Sequence, residues 1–369
     1  MDDWYRITGE SEVASPALLI HPDRIAENLR RLLATVGGDP ARLRPHVKTH
    51  KLAPVIALHL DVGINRFKAS TIAECEMVAA AGGTDVLLAH PMVGPTVNRF
   101  VELQRAYPRV RFRGMVDHPD TLEAIRTAAG RLGGPIRLLV DLDVGMHRTG
   151  IAPGEAAFDL ACRIHQDAAL EFDGLHVYDG HLAIPEVQKR RAAWNEAGGP
   201  VWTLRDRLES AGVHVPRIVG GGTPTLPFFA ERPDVECSAG TVVLWDFGQP
   251  LQDPDLDFLN AAVLLTRVIS RPGPRRLCLD LGHKAVASEM APPRVRLFGL
   301  EEATLVGHSE EHLVLETPEP SALASGTVVY GIPRHVCPTV ALYSEVLAVR
   351  DHQVTDRWPV TARTRRITI

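Results

Sequence analysis

Apolar and polar positions along the 369-residue chain follow two grammars. Over the first 250 or so residues, short and nearly continuous apolar runs alternate with helix-period segments. The runs are LRPHVK ending at Lys48, RFKAS from Arg66, DVLLAH from Asp85, RFRGMVD from Arg111, IRLLVDLDVG from Ile136, GLHVYDG from Gly174, RIVGGG from Arg217 and VECSAGTVV from Val235. A strand apolar on both faces is one covered on both sides, as in a parallel sheet flanked by helices. The spacers carry amphipathic stretches such as Thr71 to Ala81 and Pro119 to Ala129. Eight strands alternating with helices predict a (β/α)8 barrel, which takes ~250 residues. An open doubly wound sheet produces the same alternation, and periodicity alone does not separate the two.

From about Asp257 the runs become β-rich and are separated by Pro, Gly and acidic turns: AAVLLTRVIS, RRLCLDLG, ATLVGH, HLVLE, GTVVYGIP and EVLAVR. They predict a separate all-β domain. The Pro- and Asp-rich stretch Gln249 to Asp255 has the makeup of a boundary. The expected division is therefore a barrel over residues 16–250 and a β-rich domain over 257–369, joined by residues 1–15. No internal repeat or low-complexity tract interrupts it.

Composition narrows the functional classes. With 45% apolar and 23% charged residues, the chain can bury a large core and does not read as disordered. Forty Lys plus Arg against 45 Asp plus Glu leave a net charge of −5. No bulk positive charge is available for a nucleic-acid backbone, so the expected partners are small molecules or another protein chain. The start has no basic patch followed by an apolar run, and no stretch of eighteen or so residues is uninterrupted enough to span a membrane. A cytoplasmic location with no membrane partner is expected. The five cysteines are odd in number and widely spaced, unlike a secreted disulfide framework.

Several motifs could carry chemistry. In RPHVKTHK, Lys48 falls where the first predicted barrel strand ends, the face on which barrel enzymes build their sites. Burial and neighbouring cations can leave a lysine amine neutral enough to form a Schiff base, and the same cluster could hold an anion. Taken alone, the octapeptide reads first as a solvated basic loop. Gly220, Gly221, Gly222 and Thr223 follow a strand, where backbone N–H groups can cradle a phosphate, although such turns also arise for steric reasons. Strand alternation over His335, Val336 and Cys337 would put imidazole and thiolate on one face, a soft pair suited to zinc with positions left open, or simply a packed pair. VDLDVGMHRTG ends on Arg148, and GLHVYDGH presents Tyr178, Asp179 and His181 at a strand end.

In this order and approximate spacing, these stretches resemble the fold-type III pyridoxal-phosphate enzymes, specifically the D-threonine aldolase and D-serine dehydratase family. SPALLI, RPHVKTHK, the segment Thr71 to Pro91, VDLDVGMHRTGI, GLHVYDGH, VGGGTPT, ECSAGTVVLWD, LDLGHKA, GHSEEH and PRHVCPTVALY carry the resemblance over nearly the whole chain. RPHVKTHK with HVCPTV is the specific pair.

The resemblance implies a barrel carrying pyridoxal 5'-phosphate and a dehydratase-like β-rich domain carrying a metal pair. Lys48 would hold the cofactor as a Schiff base, Gly221, Gly222 and Thr223 with Gly240 and Thr241 would bind its phosphate, Arg148 would face the pyridine nitrogen and Tyr178 would lie beside the ring. His335 and Cys337 would bind a divalent ion (Zn, Mn or Mg) that takes the substrate's β-hydroxyl, with His181 a candidate for the hydroxyl proton. The implied reaction is D-threonine aldolase cleavage of a D-β-hydroxy-α-amino acid to glycine and an aldehyde. The alternative is dehydration of D-serine or 3-hydroxy-D-aspartate to keto acid and ammonia, and a second alternative is a cofactor-binding protein without turnover. A homodimer with its active site at the subunit interface is also implied. Arg334 and Ala341 stand where the family pattern has asparagines, and His283 where a small residue often precedes Lys284. These departures bear on substrate preference.

Overall fold

The computed structural model describes residues 3–369; Met1 and Asp2, grouped above with the β-rich domain, lie outside the described residues. The chain forms two compact units. One comprises Arg30–Lys48, Ile56–Gly240 and Thr364–Ile369; the other comprises the described residues up to Leu29, Thr49–Val55 and Thr241–Arg363. Among the described residues no helix is long and apolar enough to cross a membrane.

The first strand in chain order, β1 (Ala17–Ile20), belongs to the second unit. The first unit is built on β2 (Arg66–Ala69), β3 (Asp85–Leu88), β4 (Arg111–Val116), β5 (Ile136–Leu142), β6 (Leu170–Val177), β7 (Ile218–Gly220) and β8 (Val235–Cys237), all parallel and hydrogen-bonded in that order. The ring closes through Leu43–His46. Leu43 bridges Cys237 of β8 and His46 bridges Lys68 of β2, with Arg44 N–H donating to Cys237 O at 2.8 Å and Lys68 N–H to Pro45 O at 3.0 Å. The result is an eight-stave barrel, one of the two arrangements compatible with the alternation.

LRPHVK and VECSAGTVV are among the predicted strands that fall short of their apolar runs. LRPHVK is extended only to His46, because Pro45 has no N–H for a ladder and Val47–Thr49 coils into a 3-10 turn that carries Lys48. VECSAGTVV is strand only over Val235–Cys237, and Thr241–Val243 forms another such turn. The helices follow local rules more closely. Thr71 caps Ile72–Ala80, its Oγ1 accepting the Glu74 N–H at 3.1 Å, while the Glu74 carboxylate reaches back to the Ser70 N–H at 2.6 Å, a variant of the capping box. Pro119–Ala129 starts on the proline suited to a first helical position.

Side chains pointing into the barrel form layers. At the strand N-terminal ends a closed circuit of ion pairs crosses the interior. Arg44 binds Glu236 and Asp85 at 2.6 Å each, Arg113 binds Asp85 and Asp173, and Arg217 binds Asp173 at 3.1 Å and Glu236 at 3.4 Å; Arg66 adds a contact to Glu236 at 2.8 Å. Two residues further along each strand, alternation returns the chain to the same face. That second layer holds Leu87, Met115, Leu139 and Val219, an apolar cluster.

The second unit is a nine-stranded mixed sheet. Its strands are β1, β9 (Ala262–Gly273), β10 (Arg276–Leu279), β11 (Val295–Leu297), β12 (Thr304–His308), β13 (Leu313–Glu316), β14 (Val328–Pro333), β15 (Glu345–Arg350) and β16 (Gln353–Pro359). The order runs β12-β13-β10-β9-β1-β15-β16, with β14 pairing both β9 and β11. β1 lies antiparallel to β9 and parallel to β15. Leu19, Val263, Leu265, Tyr330, Ile332 and Leu347 pack together as part of its core. The predicted runs do not include β1, β11 or β16; β11 is three residues long, and the sequence of β16, QVTDRWP, is mostly polar and exposed.

Candidate active site

Three cations converge on one aromatic ring at the strand C-terminal ends of the barrel. Lys48 Nζ and Lys68 Nζ each lie 5.7 Å from the centroid of Tyr178, and Arg148 Cζ lies 4.8 Å from it. Lys48 owes its place to the stave that ends at His46, whose Nδ1 accepts the Lys48 N–H at 3.3 Å. Arg148 sits on a loop organised by Asp143, whose carboxylate accepts the N–H groups of Gly145 and His147 at 3.0 Å each. Burial works to raise the Asp143 carboxyl, but those two donors and the His147 ring hold it below the usual range. His181, exposed, packs its ring toward Gly145, and partial burial pushes its ring below the usual histidine value while Asp143 opposes that.

The glycine turn lies beside this ring. Gly221 has φ +84°, and a Cβ there or at Gly220 would come within 2.7 Å of the Phe229 ring. A Cβ at Gly222 would sit 3.4 Å from Tyr178 Cε2. Two of the turn's N–H groups are used within the protein, Gly221 donating to Val177 O at 3.0 Å and Gly222 to Asp179 Oδ1 at 3.2 Å. Among the described residues Thr223 has no partner for its N–H or its hydroxyl. Asp179 is buried, which raises its carboxyl to about 6 against the pull of Thr225 and Gly222.

On the adjacent strands β5 and β6, Asp141 pairs with His176, Oδ1 to Nδ1 at 2.7 Å, and Asp141 Oδ2 accepts the Thr149 hydroxyl at 3.0 Å. Both are buried, and burial pushes the His176 ring below its usual value. Among the described residues His176 Nε2 has no hydrogen-bond partner. With Met115, Met146, Arg148 and Tyr178, the two line a small cavity.

Gly240 ends the barrel unit and Thr241 begins the β-rich unit, where its hydroxyl lies 3.7 Å from Cys337 Sγ. Within that unit the His335–Cys337 stretch is not a strand. β14 stops at Pro333, His335 caps the helix Val336–Leu342, and Cys337 is its second residue. The two side chains still meet, because the first helical turn brings them together in place of strand alternation. Cys337 Sγ also lies 3.2 Å from Thr49 Oγ1, and the Glu289 carboxylate binds His335 Nδ1. Burial works to lower the His335 ring, but Cys337, Glu289 and Asp246 outweigh it and lift it to about 9. Among the described residues no group of three or more His, Cys, Asp or Glu side chains is placed to hold a metal.

Lys68, Ser238, Asp141 and His176 escape the motif reading. Lys68 had a visible signal, a lysine between Phe67 and Ala69 in an otherwise apolar run. The other three are ordinary residues in strand stretches until the barrel faces them inward.

The alanine racemase N-terminal domain profile matches residues 20–237, and a serine dehydratase domain profile matches residues 261–349. The chain is 29% identical over 359 residues to the D-threonine aldolase of Arthrobacter sp, covering 96% of this chain and 93% of that one. It is 26% identical over 370 residues to the D-threo-3-hydroxyaspartate dehydratase of Delftia sp. (strain HT23), covering 93% and 96%. The crystal structure of D-threonine aldolase from Filomicrobium marinum superimposes with a TM-score of 0.89 at 27% identity, covering 96% of both chains. An alanine racemase from Clostridium difficile 630, at 14% identity and a TM-score of 0.73, shares the fold.

Proposed function

The chain belongs to the alanine racemase N-terminal domain family, and from that membership we propose that it is a pyridoxal-phosphate-dependent lyase of D-β-hydroxy-α-amino acids, releasing glycine and an aldehyde. The observation that carries the reading is the convergence of Lys48, Lys68 and Arg148 on Tyr178, a concentration of positive charge suited to a small polyanion. The residues fit the cofactor: a lysine amine for its aldehyde carbon, a glycine turn with no room for side chains, and an uncommitted Thr223 for its phosphate.

Bound there, pyridoxal phosphate would supply an electron sink for negative charge developing on the substrate. Lys48 Nζ would hold it in place. Arg148 is a permanent cation with only N–H donors, so an acceptor nitrogen set against it stays unprotonated. Tyr178 would flank the ring. His181, kept below the usual histidine value, is neutral at pH 7 and can accept the substrate's hydroxyl proton at a ring nitrogen. His335 and Cys337 offer an imidazole and a thiol, and Glu289 on Nδ1 would fix the tautomer that frees Nε2 for a divalent ion. Two protein donors leave such an ion open positions and Lewis acidity toward a hydroxyl. The reading includes a homodimer, and a monomeric mass in sedimentation with full activity would remove that part.

The aldolase is supported by the relatives from Arthrobacter and Filomicrobium, and the Delftia relative supports dehydration as a second reading. Product analysis of the cofactor- and metal-loaded protein with D-threonine and D-serine tests both. Glycine with acetaldehyde is expected. Keto acid with ammonia would move the protein to the dehydratases, and no product from either would leave the lyase reading without support.

A further inference from the structure

Lys68 is out of place for any structural purpose. It stands two residues after Arg66 and therefore above the ion-pair circuit, level with the apolar cluster of Leu87, Met115, Leu139 and Val219. That circuit joins four guanidiniums to three carboxylates and so has no anion to spare for a further cation. The residue is 2% exposed, and among the described residues its one side-chain hydrogen bond is to Ser238 Oγ at 2.5 Å. Ser238 in turn donates to the glycine turn, with Gly221 O at 2.7 Å and Gly220 O at 3.1 Å. An ammonium has three donors, and two of these have no acceptor among the described residues. Its charged neighbours are Lys48 and Arg148, which repel it, and Asp141 and Asp179, which attract it; Asp141 is already engaged by His176 and Thr149, and Asp179 by Gly222 and Thr225.

We propose that Lys68 is an anion-anchoring residue of the cavity at Tyr178, its ammonium completing its hydrogen bonds on an anionic group of the bound cofactor. The inference rests on the pyridoxal-phosphate reading above. Burial first, and then Lys48 and Arg148, lower the Lys68 amine to about 7 in the free protein, so it is largely neutral above that pH. An anion placed against it favours the charged form, and binding then draws in a proton.

The probe is pyridoxine 5'-phosphate, which keeps ring and phosphate but has no aldehyde and so no covalent chemistry with Lys48. Affinity and proton uptake are measured by calorimetry in buffers of different ionisation enthalpy between pH 7 and 9, on the wild-type protein and on Lys68→Met. The wild-type protein is expected to take up protons and to bind more weakly as pH rises across this window. Lys68→Met is expected to lose that uptake and to bind about 10- to 100-fold more weakly at pH 7, the worth of a hydrogen bond to a charged group. Equal affinity and equal uptake in the two proteins would overturn the anchoring role while leaving the cofactor reading intact. Should Lys68→Met fail to fold, absence of proton uptake by the wild-type protein overturns the role by itself. Wild-type protein that binds neither this probe nor pyridoxal phosphate would overturn the cofactor reading and the inference with it.

Discussion

Asp141 and His176 face one another across the β5–β6 ladder, carboxylate to imidazole at 2.7 Å, with both side chains buried. The carboxylate accepts from Nδ1 and thereby selects the tautomer in which Nε2 carries no proton. Because burial depresses the ring below its usual ~6.5, His176 is expected to be neutral at pH 7 with its proton on Nδ1. Long-range 15N NMR of the imidazole reads this directly. An Nε2–H tautomer, or a titration midpoint at or above 6.5, would contradict it.

Lys48→Ala is expected to remove the absorbance near the visible edge that the cofactor gains when held on this residue, and to lower lyase turnover by at least ~10³-fold. Absorbance after loading and dialysis, with a product assay, checks both. A variant that kept its colour after dialysis would move the attachment to another lysine.

On the proposed reading, Cys337→Ala is expected to leave the cofactor's colour in place and to lower both bound metal and turnover, because Cys337 lies in the β-rich unit and would be one of the two protein donors proposed for the ion. Elemental analysis alongside a chelator titration tests this. Full activity of the variant in the presence of chelator would end the metal assignment.

The ion-pair circuit predicts a stability effect separate from chemistry. Arg113→Met leaves Asp85 and Asp173 buried with one guanidinium fewer, and is expected to cost about 3–5 kcal/mol. Burial works to raise the Asp85 carboxyl, but Arg44 and Arg113 hold it below the usual range. Its contribution is therefore present above about pH 4 and lost as pH falls further. Urea unfolding at pH 7 measures the first effect, and acid titration of the wild-type protein the second. A loss under 1 kcal/mol would show that the circuit relaxes around the gap.

Asp179 predicts the opposite pH dependence. Its carboxyl is raised by burial to about 6, so the protonated form is favoured in the fold, and its stability contribution is present below about pH 4 and lost as pH rises through 6. Asp179→Asn is expected to remove that slope and to be the more stable protein at pH 8, by on the order of 2–3 kcal/mol. Urea unfolding of both cofactor-free proteins at pH 5 and 8 decides it, and parallel pH profiles would count against it.

Much of this architecture is legible in the residues themselves. Continuous apolar runs separated by capped helices specify parallel strands covered on both sides, and Thr71 with Glu74 or the proline at position 119 mark helix starts within a turn of chain. Such signals are local, so one sequence suffices to read them. Lys48, Tyr178, Arg148 and the glycine turn stand at strand ends for the same reason. Which sheet the apolar run Ala17–Ile20 completes is decided only by its partners β9 and β15, some 240 and more residues away. His335 and Cys337 could be read as a pair, yet the chain turns helical after Pro333, and it is a helix start that brings them together. Local pattern in the residues is enough for most of the elements and for the alternation of strand with helix. Tertiary structure decided which polar groups face inward together: Lys68 with Ser238, Asp141 with His176, and the arginine–carboxylate circuit beneath them. Those pairings depend on strand register across a closed ring, where burial and charge act between residues up to 192 positions apart.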